Sequence, residues 1–406
     1  MARKEASRNS FGGCWKHRSR TRQPPGLRAG GELSSYVERM EANDDFEDES
    51  EEDTENQDDG VDQDDHYEDF LLEQGDYAES VRGPLWAVID AALLQGLPSV
   101  QRLSHYTSLD GLRGIAHDKA VFVSETSFMN DPSEWTYALG VIDEAWALLA
   151  GTCPDTFAAD ALAAIRRIST EKSRPRAFIA CFTEQDDLLS QWRGYGTGSA
   201  CSVNIEFVVP EFNEIGRRDP GRRLNRDDGA PRPTSRLLRP VIYDRATQER
   251  VVSDVVRTWI SAVTSAHHSG GYFPTTGGDG AAIRRDALIE SLLPVIPYLK
   301  SPAYSAEQEW RLSIIGDIWQ QQHYFRKWGS RAANHLTVEY RSSWLGPVPF
   351  MRWPITTSLS QSQVPIKEVV LGPECSIGPA DVELMLMIHS HFDISVRRSV
   401  VPYRGR

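Results

Sequence analysis

From Leu85 to Val400 short β-branched runs and amphipathic helical stretches follow one another without a regular β-α repeat. That irregular order restricts the fold more than any other feature. A doubly wound parallel sheet needs strict alternation of strand and helix. The pattern predicts an α+β fold with one mixed, largely antiparallel sheet and inserted helices. Helical spacing covers Leu85–Leu93, closed by Gly96 and Pro98, then Asp110–His117, the stretch after Pro132, and residues 155–169, 246–264, 281–299 and 379–391. Strand patterns lie at Leu103–Thr107, Ala120–Ser124, Ala177–Phe182, Cys201–Val209, Val241–Tyr243, Glu307–Ile315, Ile366–Leu371 and Ile394–Val400. Segments 210–240 and 316–362 are expected to be surface insertions.

The first 80 residues lack such a pattern. The chain of 406 residues has a net charge of -14, but that charge is unevenly placed. Residues 41–79 carry 20 acidic and no basic side chains, and residues 1–40 carry 9 basic and 3 acidic ones. Setting aside -20 and +6 leaves 0 for 81–406. A basic arm (1–40) and an acidic tract (41–80), both too polar to offset the entropy of ordering, are therefore expected to be disordered beside a single domain at 81–406. Nucleic acid would be reached through the arm alone, since the neutral body shows no basic face.

No run of eighteen apolar residues and no early apolar segment occurs, so neither a membrane span nor a secretory leader is expected. The five cysteines (Cys14, Cys153, Cys181, Cys201, Cys375) never fall in a C-x-x-C spacing. They read as reduced thiols in a cytoplasmic protein.

Several motifs carry polar chemistry. His105-Tyr106-Thr107 lies on a strand, and alternation sends His105 and Tyr106 to opposite faces. In Asn130-Asp131-Pro132-Ser133-Glu134, Asp131 suits an N-cap, Pro132 the first helical position and Glu134 the third, so capping by itself explains those residue types. Cys181-Phe182 precedes Trp192, and Glu307-Gln308-Glu309-Trp310-Arg311 leads into a strand on which Glu307, Glu309 and Arg311 would share one face. Two carboxylates and an arginine on one face form either a site or a solvated ladder of ion pairs. The glycine-rich Gly194–Gly198 enters a strand and so matches neither a P-loop nor a dinucleotide fingerprint.

Taken in order, these motifs and the closing Lys367-Glu368-Val369-Val370-Leu371-Gly372 resemble the uncharacterised bacterial domain-of-unknown-function family 2971 over roughly residues 100–400. The family name implies no activity. A more distant resemblance is to ADP-ribosyltransferases, whose folds often pair a His-x-Thr strand, a strand bearing Ser, and a late strand led by Glu-x-Glu. Matched residue by residue, that resemblance implies a catalytic set of His105 (with Thr107), Ser124, Glu307 and Glu309. NAD is then the candidate substrate, a macromolecule the acceptor, and bacterial defence against phage the natural setting. Glu309 would stabilise an oxocarbenium-like cation, Ser124 would steady that glutamate and His105 would bond the ribose. Arg311 would hold the diphosphate, and Tyr106, Thr107, Asn130, Asp131, Glu134 and Trp192 would contact the ligand.

Two other classes stay open. Asp131, Glu134, Glu206, Glu307 and Glu309 offer hard oxygen ligands for a magnesium-dependent hydrolase of nucleic acid, though no spacing demands a metal. His267-His268 and His389-Ser390-His391 lack a third ligand for zinc. Alternatively Trp135, Trp192 and Trp310 need polar partners for their indole N–H groups, and the motif set would then organise a nucleotide- or protein-binding sensor.

Overall fold

The computed structural model describes residues 80–129, 133–169, 176–194, 199–215, 235–268, 278–316, 338–343, 346–355 and 365–402. The basic arm and nearly all of the acidic tract lie outside these residues, as do Asn130 and Asp131. In chain order the elements are α1 (80–93), β1 (Val100–Ser108), α2 (Leu109–Asp118), β2 (Ala120–Glu125), α3 (Ser133–Leu149), α4 (Asp155–Ser169) and β3 (Arg176–Thr183). They continue with α5 (Leu189–Gly194), β4 (Ala200–Val208), α6 (Val209–Phe212), β5 (Glu214–Ile215), β6 (Ser235–Pro240), α7 (Arg245–His268), α8 (Gly278–Leu292) and β7 (Glu309–Gly316). Last come β8 (Val338–Ser343), β9 (Gly346–Pro354), β10 (Ile366–Leu371), α9 (Pro379–Ile388) and β11 (Ser395–Arg398).

All eleven strands among the described residues join one sheet, so the expected α+β class with a mixed sheet holds. Every pairing is antiparallel except β10 with β11. The sheet forks at β3. One edge of β3 pairs along its full length with β7, which continues to β6 and β5. Its other edge is shared: Thr183 pairs with Ser104 of β1, while Phe178 and Ile179 pair with β2. Beyond β1 lie β4, β10 and β11, and beyond β2 lie β9 and β8.

Strand alternation divides the core into two layers. Ala177, Leu237 and Ile315 face a helical layer that includes α1, α3, α4, α7 and α8. Phe178, Leu238 and Ile314 face the other way, towards α2 and α9. In the 24-residue α7, Val252, Val255, Val256, Trp259 and Val263 recur at helical spacing and are fully buried. The Trp259 indole donates to the Arg284 carbonyl at 2.9 Å, and the Arg284 guanidinium pairs with Asp160 at 2.7 Å, which joins α7, α8 and α4. No helix among the described residues is long and apolar enough to cross a membrane.

Four expectations change. Residues 235–240 of the expected insertion form β6, and the strand expected at Val241–Tyr243 reduces to a bridge from Ile242 to Leu299. The second expected insertion contains the β8–β9 hairpin, which completes the sheet beside β2. Pro347, Pro349 and Pro354 mask that strand in the sequence. The first two lie beyond the Ser124–Phe350 pair, the last between β2 and β9, so no donor is needed on that side. Glu307 ends a 3-10 turn (Pro302–Glu307) and is not part of β7, so it cannot share a strand face with Glu309 and Arg311.

The turn from β1 into α2 is tightly specified. Ser108 caps the helix by accepting from the Gly111 N–H at 3.1 Å. A Cβ on Gly111 would overlap the Thr107 hydroxyl and lie 3.2 Å from its Cβ, whereas Gly114 on the same helix has open space. Gly111→Ala is expected to cost about 1–3 kcal/mol. Gly114→Ala should instead stabilise by about 0.5–1 kcal/mol through helix propensity. Urea unfolding of the two variants checks this pair.

Candidate functional site

The family-like motifs meet at one end of the sheet, where β1, β3 and β7 come together. Thr183 pairs with Ser104 on one side and with Glu309 on the other, and directly opposed residues share a face. Ser104, Thr183 and Glu309 therefore look towards the helical layer, as do Cys181 and its partner Arg311. Before β7, the Thr183 hydroxyl donates to the Glu307 carbonyl at 2.8 Å, and Gln308 takes the left-handed conformation (φ 45°) that turns the chain into the strand.

On that face five charged side chains form a closed cluster. Lys300 Nζ bonds three carboxylates: Glu134 at 2.9 Å, Glu307 at 2.7 Å and Glu309 at 2.8 Å. Arg311 grips Glu309 through Nε at 2.8 Å and Nη2 at 3.0 Å, reaches Glu134 at 2.7 Å and donates to the Pro297 carbonyl at 2.8 Å. Lys300 is itself placed by the fully buried Gln248, which donates to the carbonyls of Ile242 and Lys300 at 2.5 and 2.7 Å and accepts from Tyr137.

Burial alone would raise the Glu309 carboxyl, but the Arg311 guanidinium, followed by Lys300, holds it at about 2. Burial likewise opposes the charge on both cations. The surrounding carboxylates, Glu309 foremost, overcome it and keep Lys300 and Arg311 above their ordinary ranges. The Cys181 thiol beside them is pushed up, first by burial and then by the negative charge of Glu309, so it stays protonated.

The other expected site residues are distributed differently. His105 points to the opposite face from Glu309, against the Phe182 ring at 5.3 Å. Its Nδ1 bonds the Cys181 carbonyl at 2.9 Å, and burial lowers its pKa against that hydrogen bond. Ser124 shares a face with Glu309 through its pairing with Ile179, but lies four residues along and two strands across. That displacement is about 13 Å by about 10 Å. Its hydroxyl accepts from Arg341 at 3.1 Å. The structure therefore does not gather His105, Ser124 and Glu309 around one point. Thr107 packs on Gly111.

Tyr106 and Trp192 instead build a neighbouring loop. The Tyr106 hydroxyl donates to the Gln185 carbonyl at 3.1 Å and accepts from the Leu188 N–H at 2.7 Å, and its ring meets Trp192 edge-on at 4.7 Å. The Trp192 indole donates to Asp187 at 2.7 Å, and Asp187 also accepts from the Ser399 hydroxyl and the Val400 N–H. Trp310 is satisfied by Glu184 at 2.8 Å. The expectation that these tryptophan N–H groups need polar partners is met at these two positions, by residues outside the motifs.

Residues 191–312 match the family described as Protein of unknown function (DUF2971). The chain carries a DUF2971 domain. The match begins at Gln191 of α5 and ends inside β7. It takes in Trp192, Lys300, Glu307, Glu309 and Arg311, and it leaves out Glu134 and the His105 motif. It is narrower than the span over which the motifs extend. Neither the curated proteins nor the solved structures contain a match to this chain.

Within the matched residues, Glu206 pairs with Arg102 and Lys367, which separates it from the other carboxylates named as metal ligands. Glu134, Glu307 and Glu309 do converge, but on the Lys300 ammonium. No group of three or more His, Cys, Asp or Glu among the described residues is arranged to hold a metal ion. His391 bonds the Ala116 carbonyl at 2.9 Å, and His389 meets the His117 ring edge-on. An open recess of about 350 Å3 on α7, lined by Arg257, Ile260 and Thr264 among others, contains none of the motif residues. Sequence reasoning missed Lys300 and Gln248. Lys300, at the end of the apolar Leu292–Leu299 run, was the available signal, because a charge closing such a run needs a buried partner.

The cluster sets a pH dependence. The folded Glu309 carboxyl, at about 2, lies below its ordinary 4.5. Its contribution to stability is thus complete above pH 4.5 and is lost as the pH falls towards 2. Glu309→Gln is expected to remove that part of the acid dependence, and Arg311→Leu to cost about 3–5 kcal/mol by leaving carboxylates buried and unpaired. Urea unfolding at several pH values measures both effects.

Proposed function

We propose that this sheet end binds a small, donor-rich ligand of the nucleoside class, with the nicotinamide riboside half of NAD as the candidate, and that the ionic cluster is a fixed support for that site. The observation that carries the reading is the charge of the cluster. Three carboxylates face two cations, which leaves a surplus of one negative charge. Glu307 is its most accessible member at 29% exposure, and among the described residues only one of its oxygens is engaged, by Lys300. A half-buried carboxylate with surplus charge favours hydroxyl donors and cationic rings over bare phosphate. Tyr304, whose ring lies 5.0 Å from Lys300 Nζ, offers an exposed aromatic face nearby, and the Gln185 and Gln308 amides bond one another at the rim.

On this reading Glu307 takes the ribose-holding part that the transferase resemblance gives to Glu309, because Glu309 is already bound on both oxygens. Binding is the function proposed, with transfer as its extension. Calorimetric titration of the full chain is expected to show binding of NAD and nicotinamide riboside, weakened at least about tenfold in Glu307→Gln, with ADP binding far more weakly. A tenfold loss corresponds to about 1.4 kcal/mol, within the range of one charge-assisted hydrogen bond. Absence of binding by NAD and nicotinamide riboside, or equal binding of ADP, sinks the proposal. Label transferred from NAD to a macromolecule in cell extract would extend it to a transferase. Magnesium-dependent degradation of nucleic acid without NAD would favour the hydrolase class instead.

A further inference from the structure

Tyr243 reaches the ionic cluster from the segment between β6 and α7, and the backbone on both sides of it is fixed. The Val241 N–H donates to the Glu309 carbonyl at 2.9 Å and the Ile242 N–H to the Tyr298 carbonyl at 2.7 Å, so this stretch lies between the start of β7 and the segment that carries Lys300. Asp244 follows at once and caps α7 by accepting from the Thr247 N–H at 2.8 Å. The ring is thereby directed at the turn before β7, where the Tyr243 oxygen accepts from the Glu309 N–H at 3.1 Å.

That bond uses the phenol as an acceptor only. Among the described residues no group accepts its proton. The side chain is half-buried, and burial, followed by the negative charge of Glu309, outweighs the N–H bond and pushes its pKa up to about 12. The phenol therefore remains a donor across the ordinary pH range. Two residues before Glu309 on the same turn, Glu307 has the complementary character, since Lys300 engages only one of its oxygens. One donor and one acceptor held at a single turn suit a ligand that both donates and accepts through neighbouring atoms. Two adjacent hydroxyls do this, one donating to the carboxylate and the other accepting from the phenol. A phosphate accepts only and meets the Glu307 charge with its own.

We propose that Tyr243 and Glu307 together read a vicinal diol, which makes Tyr243 a specificity-determining residue that selects ribose over deoxyribose. The inference rests on the reading of Glu307 as the ribose-holding carboxylate. A site that hydrogen-bonds a hydroxyl discriminates against the analogue lacking it, because its own polar group is then left unpaired. Calorimetric titration of the full chain with nicotinamide riboside and its 2'-deoxy and 3'-deoxy analogues tests this. The wild-type chain is expected to bind each analogue at least about tenfold more weakly than the parent, the loss of one charge-assisted or partly buried hydrogen bond. Tyr243→Phe should abolish the preference for one of the two hydroxyls, and Glu307→Gln the preference for the other. A tyrosine that only held the Glu309 backbone would, on removal of its hydroxyl, weaken all three ligands by the same factor and leave their ratios unchanged. Such unchanged ratios, or a wild-type chain that binds either deoxy analogue as tightly as the parent, overturn the inference and leave the binding proposal standing. Absence of binding by nicotinamide riboside sinks both. Circular dichroism and the urea midpoint establish that Tyr243→Phe folds, and the wild-type ratios decide by themselves whether a diol is read should that variant unfold.

Discussion

The pairing of Arg311 with Glu309, closed off by Lys300, is the constraint around which this end of the fold is organised. Charges removed from water are tolerated only when each one is paired and its remaining hydrogen-bonding positions are filled. Here the requirement is met by parts of the chain far apart in sequence: Glu134 at the start of α3, the Pro297–Lys300 segment, Glu307 on its turn and the first residues of β7. Gln248 from α7 fixes the Lys300 backbone. None of these elements can shift much without leaving a charge unsatisfied. The cluster is thus a means of specifying position, whatever its net contribution to stability.

That constraint also decides which carboxylate is open to chemistry. A glutamate held by two nitrogens of one guanidinium and by an ammonium is well placed to orient its neighbours and poorly placed to exchange partners with a ligand. Glu307 has the opposite character, being partly exposed and bonded through one oxygen. The family-like motifs divide accordingly into a buried set that holds the sheet end together and a smaller exposed set at its rim. The sheet forks beside this set, with β3 serving β1 with one end and β2 with the other.

The same separation of roles recurs across the molecule. Helices on one face bury large apolar stripes and supply the rigid backing for Lys300 and Glu134, while the thinner layer of α2 and α9 leaves one helix with an uncovered apolar side.

Much of the fold was legible in the residue pattern. The fold class, the 155–169 helix, the long α7 and the strands at 177–182 and 366–371 follow from periodicity, which is a local property of the chain. The prolines of 346–354 hid a strand because their compatibility depends on which neighbour that stretch lacks. At the site, alternation correctly separated Tyr106 from His105 and joined Glu309 to Arg311. It could not say that His105 would face away from Glu309, because that depends on the register between β1, β3 and β7. Nor could it say which carboxylates Lys300 would meet, since all three are contributed by other segments. What the sequence alone determined was the kind of elements and which residues share a face within each one, since both follow from backbone geometry over a few residues. Which charges meet, and hence which carboxylate stays available, was decided only by tertiary structure, because ion pairing in a buried site is a property of distances between segments and not of spacing along the chain.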